Sequence, residues 1–400
     1  MIDRPEAEAL DLSDPLASFR DRFVIPDPGR IYLDGNSLGR LSIDVQRGIR
    51  NVVDDWGRAA VEGWHDWIEL PTRLGDRLAT TVLGAQPGEV LVADSVTVNL
   101  YKLAHAAADL RPGPIVTDAA NFPTDRYALE GVARARGREY IEVDSVEEAV
   151  AAARDGVLCL SDVDYRSAAL RDIVALTAST DALVIWDLSH SAGGVEVDLS
   201  VADLAVGCTY KYLNAGPGAT AFLYVRREIQ DQLRSPIQGW FGRREQFAMG
   251  AGYEAADGIE RFAAGTPSVI GLAAIDASVG LLEEAGVARI AAKGRSLTEL
   301  AITLADEWLA PLGFEIGSPR DASVRGAHVA LHHADAWQIA RALIERGSVV
   351  PDFRPPDILR LGFSPLYTRH VDAWDALDRL RGIVERGEHR SIAAPPMRVT

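Results

Sequence analysis

Between residues 88 and 225 the chain repeats one alternation, a short apolar run followed by a stretch of helical spacing. The runs are EVLVAD, PIVTDA, EYIEVD, GVLCLSDVD, ALVIWDLS, LAVGCTYK and TAFLYV; between them lie VTVNLYKLAHAAADL, TDRYALEGVARARG, SVEEAVAAARD and RDIVALTAST. Runs that are apolar throughout, rather than at every second residue, suit strands buried on both faces, and strands separated by helices pair in parallel. The expected fold is therefore α/β, an about seven-stranded, mostly parallel sheet with helices on both faces. Ligands of such sheets sit beyond the carboxyl ends of the strands.

The flanking regions add smaller pieces. Residues 1 to about 30 read as a short helix and a connector, and IYLDGNSLGRLS as a short strand entering a turn that opens a helix at Ser42. Residues 226 to 268 are rich in glycine, aromatic residues and charge with little periodicity, which marks a functional or interface segment. A long helix is expected from Val269 to Glu284 and a second from Val287. A smaller α+β unit follows, with strands at FEIGS, HVALHH, VVPDF and ILRLGF and a terminal helix from about Asp372. The expected division is an N-terminal segment over 1–45, a large domain over 46–268, and a linker helix with a small domain over 269–400.

Composition narrows the class. With 48% hydrophobic and 25% charged residues the chain reads as a soluble globular protein, and a formal charge of -17 argues against a nucleic-acid partner. The polar, acidic N-terminus lacks the pattern of a signal peptide and no stretch approaches a membrane span, so a cytoplasmic protein is expected. Cys159 and Cys208 both lie inside apolar runs and read as buried core residues. The histidines, His332 and His333 among them, lack metal-ligand spacing, and no metal is expected.

Polar residues gather at the expected strand ends: Ser95, Thr97 and Asn99; Asn121, Phe122, Thr124 and Asp125; Ser161 and Asp164; Asp187, Ser189, His190 and Ser191; Tyr210 and Lys211. Lys211 is one of three lysines in 400 residues, with Lys102 and Lys293. A chain that otherwise uses arginine keeps an amine here, and an amine can deprotonate and form an imine where a guanidinium cannot. Taken alone, Lys211 also reads as a surface lysine after a buried strand. Asp187 ends a hydrophobic strand, where a carboxylate needs a cation or donor; it also reads as a cap on SHSAGG. Together the two suit the ends of a pyridoxal phosphate ring, lysine at the aldehyde and aspartate at the pyridine nitrogen. Ser95 and Thr97 precede a helix whose N-terminus favours a phosphate, Phe122 suits stacking on the ring, and His190 suits stacking or hydrogen bonding beside it.

Six motifs in order, YLDGNSLG (32–39), SVTVNL (95–100), NFPTD (121–125), DLSHSAG (187–193), YKYLNAGPG (210–218) and GWFG (239–242), resemble the kynureninases, and the resemblance extends from about residue 30 to the C-terminus. It implies an aspartate aminotransferase-like fold (pyridoxal phosphate fold type I) and a homodimer whose active site is shared between subunits. The implied reaction is hydrolysis of kynurenine or 3-hydroxykynurenine to the anthranilate and alanine.

Carried over by motif, Lys211 would be the Schiff-base lysine, Tyr210 a phosphate contact and proton donor, and Asp187 the pyridinium partner with His190 beside it. Phe122 would stack on the ring near Asp125. Val96 and Thr97 would hold the phosphate, with Ser161 near the cofactor, and Trp240 and Thr266 would reach the phosphate from the partner subunit. Arg360 would bind the substrate α-carboxylate, with Asn36 and His65 also on the substrate. Arg243 stands where the family commonly has histidine, which bears on how the aromatic end is read. The alternatives are another class-V pyridoxal phosphate enzyme, an enzyme of this kind acting on a substituted kynurenine, and a catalytically inactive cofactor-binding protein. Against a cysteine desulfurase, neither cysteine sits in an exposed Gly/Ser-rich loop.

Overall fold

The computed structural model describes residues 2–393. Seven strands form the large sheet: β1 (Val90–Val92), β2 (Ile115–Asp118), β3 (Tyr140–Val143), β4 (Val157–Ser161), β5 (Leu183–Asp187), β6 (Leu204–Gly207) and β7 (Phe222–Val225). Each falls inside one of the seven apolar runs. Their spatial order is β1-β7-β6-β5-β4-β2-β3. Strands β2 to β6 pair in parallel, and β7 runs antiparallel to both neighbours.

Period-two alternation sends successive residues to opposite faces, and both faces are covered. Leu158, Leu160, Val184, Trp186 and Phe222 pack under the helices Leu70–Leu78 and Val269–Ala285, whereas Val157, Cys159, Leu183, Ile185 and Leu223 pack under Val96–Leu110 and Pro123–Arg136. Full burial of each such aliphatic side chain contributes roughly 1.5–3 kcal/mol. The sheet is thus a rigid two-sided platform, and its polar strand ends are what it presents. At the edge, β3 is only partly covered.

The smaller sheet is antiparallel in the order β10-β11-β9-β8, built from β8 (Glu315–Ile316), β9 (His328–His332), β10 (Asp352–Arg354) and β11 (Ile358–Gly362). Its apolar residues meet the helices Val287–Leu304 and His370–Glu385 in a core of their own. One expectation is corrected here: VVPDF is not one strand. Pro351, lacking an N–H, interrupts the run, so Val349–Val350 pairs in parallel with Ile31–Tyr32 while Asp352–Arg354 joins the small sheet. The pairing carries the N-terminal segment across the small sheet, where Gly362 N–H donates to the Leu33 carbonyl at 2.7 Å. The segment then reaches the Lys211 loop, and Gly39 N–H donates to the Tyr210 carbonyl at 2.8 Å. A Cβ at Gly39 would lie 2.4 Å from the Lys211 carbonyl oxygen, so this approach requires glycine. No helix among the described residues is long and apolar enough to cross a membrane.

Candidate active site

Beyond the carboxyl ends of the parallel strands lies a cavity of about 290 Å³. Val96 and Thr97 enter it after β1, Phe122, Thr124 and Asp125 after β2, Asp187, Ser189 and His190 after β5, and Tyr210 and Lys211 after β6. Asn36 and Ser37 close one side from the N-terminal segment, and Arg354 and Arg360 come from the small sheet. Ten of the sequence-derived candidates are therefore brought together by four strand ends, one N-terminal turn and one small-sheet strand.

Lys211 Nζ lies 3.3 Å from each ring nitrogen of His190, and no carboxylate of the described residues comes within salt-bridge reach of it. Burial pushes the amine below its ordinary value. The nearby Cys208 thiol is itself pushed up by burial, so it stays neutral and offers no counter-charge. Burial, and then the Lys211 charge, also hold His190 well below the usual imidazole range, leaving a neutral ring. Tyr210 is raised by burial, which keeps its phenol protonated.

On the opposite side, Asp187 Oδ1 accepts from the Ser189 N–H at 2.9 Å and from its hydroxyl at 2.6 Å. The cap reading and the cofactor reading of Asp187 are thus compatible, because Oδ2 is left over. Asp125 stands against it; burial first, then the Asp187 charge, push the Asp125 carboxyl well up, while its Oδ2 finds no partner among the described residues.

Four candidates lie outside this cavity. Ser161, at the end of β4, donates to Asn121 Oδ1 at 2.6 Å, and the same oxygen accepts the Phe122 N–H at 2.8 Å. Ser161 therefore acts one shell behind, fixing the turn that presents Phe122. His65 is exposed on the short helix Trp64–Trp67. Trp240 packs edge-on against Phe241 with ring centroids 4.5 Å apart, and Trp64 lies 6.2 Å from Phe241. Thr266 is exposed at a separate cavity that Asp94 and Thr220 also line. Sequence reasoning missed Ser37, Tyr165, Arg354 and His328. Ser37 lay inside a quoted motif, and Arg354 sits two residues from Asp352 on a strand, a spacing that places both on one face. His328 was signalled only as the first residue of HVALHH; its ring is buried with its centroid 6.0 Å from that of His190.

Comparison with known proteins bears on what this cavity serves. The family profile described as "Kynureninase C-terminal domain" matches residues 290–380. The kynureninase of Pseudomonas fluorescens is 40% identical over 404 residues, covering 96% of each chain. The chain belongs to the kynureninase family. A second member, the kynureninase of Burkholderia pseudomallei (strain 1106a), is 39% identical over 403 residues with the same coverage. Among solved structures, the fold is similar to a cysteine desulfurase from Thermococcus onnurineus NA1, with a TM-score of 0.75, 18% identity and coverage of 89% of this chain and 95% of that one. It is also similar to the cystine C-S lyase C-DES in complex with cysteine persulfide, with a TM-score of 0.77, 17% identity and coverage of 88% and 98%. These likenesses establish the fold, which is that of pyridoxal phosphate fold type I. Cys159 and Cys208 are both free and buried.

The cavity's residues fit pyridoxal phosphate. A pyridinium N–H would find its acceptor in Asp187, the carboxylate at the end of β5 whose Oδ1 is already held by Ser189. An aldehyde carbon matches an unpaired, deprotonatable amine at Lys211. A phosphate matches the N-terminus of Val96–Leu110, capped by Ser95, whose first N–H groups are free of intrahelical partners.

Proposed function

We propose that this chain is a pyridoxal phosphate-dependent hydrolase that cleaves the Cβ–Cγ bond of L-kynurenine, 3-hydroxykynurenine or a close relative, giving the anthranilate and L-alanine. The observation that carries the reading is the half-buried amine of Lys211, in salt-bridge contact with no carboxylate of the described residues, in one cavity with Asp187, Tyr210 and Arg360. Bound cofactor supplies an electron sink for the bond broken at the amino acid. The protein's part is to bind, orient and move protons.

Arg360 holds the substrate carboxylate, which fixes Cα toward Lys211. Lys211, its amine shifted toward the neutral form by burial, takes the proton from Cα and is placed to return it to carbon. With the cofactor bound, Asp187 would hold the proton on the ring nitrogen, and Phe122 and His190, which line the same cavity, would hold the ring. Tyr210, protonated at neutral pH, serves as the donor to the substrate's γ-carbonyl when water adds there. Water's hydroxyl ends on the departing acyl carbon as a carboxylic acid, and a proton ends on Cβ, completing alanine. A neutral His190 beside Lys211 lets that amine stay free of a competing positive charge.

The homodimer and the domain division, 1–45, 46–268 and 269–400, belong to the same proposal. Trp240 and Thr266 lie outside their own chain's cavity, and Phe247 and Met249 in the same region are 66% and 71% exposed. That arrangement suits a segment that completes a second copy's phosphate site. The direct test is fluorescence: purified protein with pyridoxal phosphate should release anthranilate from L-kynurenine, or 3-hydroxyanthranilate from 3-hydroxykynurenine. Release from neither, with cofactor bound, would refute the reading.

A further inference from the structure

Asp352, Arg354 and Arg360 share one face of the small sheet. Asp352 stands opposite Arg360 in the β10–β11 register, and Arg354 follows two residues along the strand. Arg360 is fully buried and heavily committed. Its Nε and Nη2 both contact Asp352 Oδ2, its Nη1 donates to the Tyr165 carbonyl, and its Nη2 also lies 3.3 Å from Ser37 Oγ. A guanidinium has five N–H donors. Four are thus engaged, and one is left where a two-donor clasp of a carboxylate needs two.

Arg354 is in the opposite condition. Its Nε lies 3.0 Å from Asp352 Oδ2 without the geometry of a hydrogen bond, and its Nη2 makes a long 3.5 Å approach to Ser37 Oγ. Both hydrogens of Nη1 and one of Nη2 have no partner among the described residues, and the side chain lines the cavity. Asp352 is the one carboxylate in contact with both guanidiniums among the described residues; Asp34 faces the pair from beyond salt-bridge distance, with its carboxyl pushed up to about 6, by burial first. Ser37 Oγ lies between them and marks where a ligand oxygen would meet donors from both.

We propose that Arg354 is a substrate-binding residue, supplying the open donors of the carboxylate clasp while Arg360, fixed by Asp352 and the Tyr165 carbonyl, supplies the rest. The proposal rests on the reading above that the cavity takes an α-amino acid. A mere brace for Asp352 would use the Nε of Arg354 alone.

The test uses holoenzyme of wild type, Arg354→Gln and Arg354→Lys, each first checked for the visible absorbance of bound cofactor. The readout is the KM of L-kynurenine set against the inhibition constant of its carboxamide, in which a neutral amide replaces the carboxylate. In Arg354→Gln the KM should rise by about tenfold or more, kcat should stay within roughly threefold, and the carboxamide constant should hardly move. Arg354→Lys should fall between. An unchanged KM, or equal weakening of both ligands, overturns the proposal. If Arg354→Gln loses the cofactor, the ratio of the two ligands in Arg354→Lys decides. If wild type turns over no kynurenine, the functional reading fails separately, and L-alanine against alaninamide, followed by cofactor absorbance, puts the same question to Arg354.

Discussion

The three lysines of this chain are withdrawn from solvent, Lys102 and Lys293 fully and Lys211 in part, yet they live in two kinds of surroundings. Lys102 reaches Asp94 at 2.7 Å and the Phe262 carbonyl at 2.7 Å, and Lys293 reaches Asp14 at 2.6 Å. Each is a cross-brace: the first ties the helix Val96–Leu110 to the segment before Thr266, the second ties the N-terminal connector to the helix Val287–Leu304. Lys211 has the imidazole of His190 and no carboxylate. Burial lowers all three amines; Lys102 and Lys293 are pulled back toward the charged form by an aspartate in direct contact, whereas Lys211 feels Asp187 only from beyond salt-bridge distance. A buried amine with a carboxylate is structure; a buried amine without one is available for chemistry.

Removing each amine should therefore have unequal effects on the stability of cofactor-free protein, read by denaturant unfolding. Lys293→Met should cost most, about 3–5 kcal/mol, because the Asp14 side chain is only 3% exposed and is left as an uncompensated buried charge. Lys102→Met should cost less, about 2 kcal/mol, since the Asp94 side chain is 29% exposed and regains water. Lys211→Met should be neutral or stabilising. A large loss from Lys211→Met, or none from Lys293→Met, would break the comparison.

The same contrast extends to carboxylates, with a smaller and pH-dependent effect. Asp14 has a lysine, whereas Asp162 is buried without a salt-bridge partner among the described residues, and burial pushes it up to about 7 from 3.8. A carboxyl that binds its proton more tightly when folded contributes stability below pH 3.8, and that contribution is lost as pH rises through about 7. Asp162→Asn should then match wild type at low pH and gain melting temperature relative to it between those values, levelling off above. A gap that does not change with pH would show that Asp162 is stabilised by contacts other than its proton.

Much of this was readable from residues alone, for identifiable reasons. Strands buried on both faces leave unbroken apolar runs, so all seven strands of the large sheet lie where the runs are. Residues just after those runs have to share one edge, which is why Thr97, Phe122, Asp125, Asp187, His190 and Lys211 are legible there as a group. The resemblance added Arg360, whose distance in sequence hides its place. What was not legible depends on closure between distant pieces. The split at Pro351, the approach of Gly39 to the Lys211 loop and the convergence of Ser37 with Arg354 arise from contacts across more than 100 residues, which periodicity does not encode. The bond from Ser161 to Asn121 was equally hidden, because a strand-end hydroxyl has the same sequence signature whichever partner it takes.

The central claim is that Lys211, alone of the three amines, is free to react. Borohydride reduction of the pyridoxal phosphate-loaded protein, followed by proteolysis and mass spectrometry, measures this directly. One modified peptide is expected, carrying the reduced cofactor on Lys211, with Lys102 and Lys293 unmodified. Cofactor trapped on Lys102 or Lys293, or a loaded protein with no trapped lysine, would contradict it.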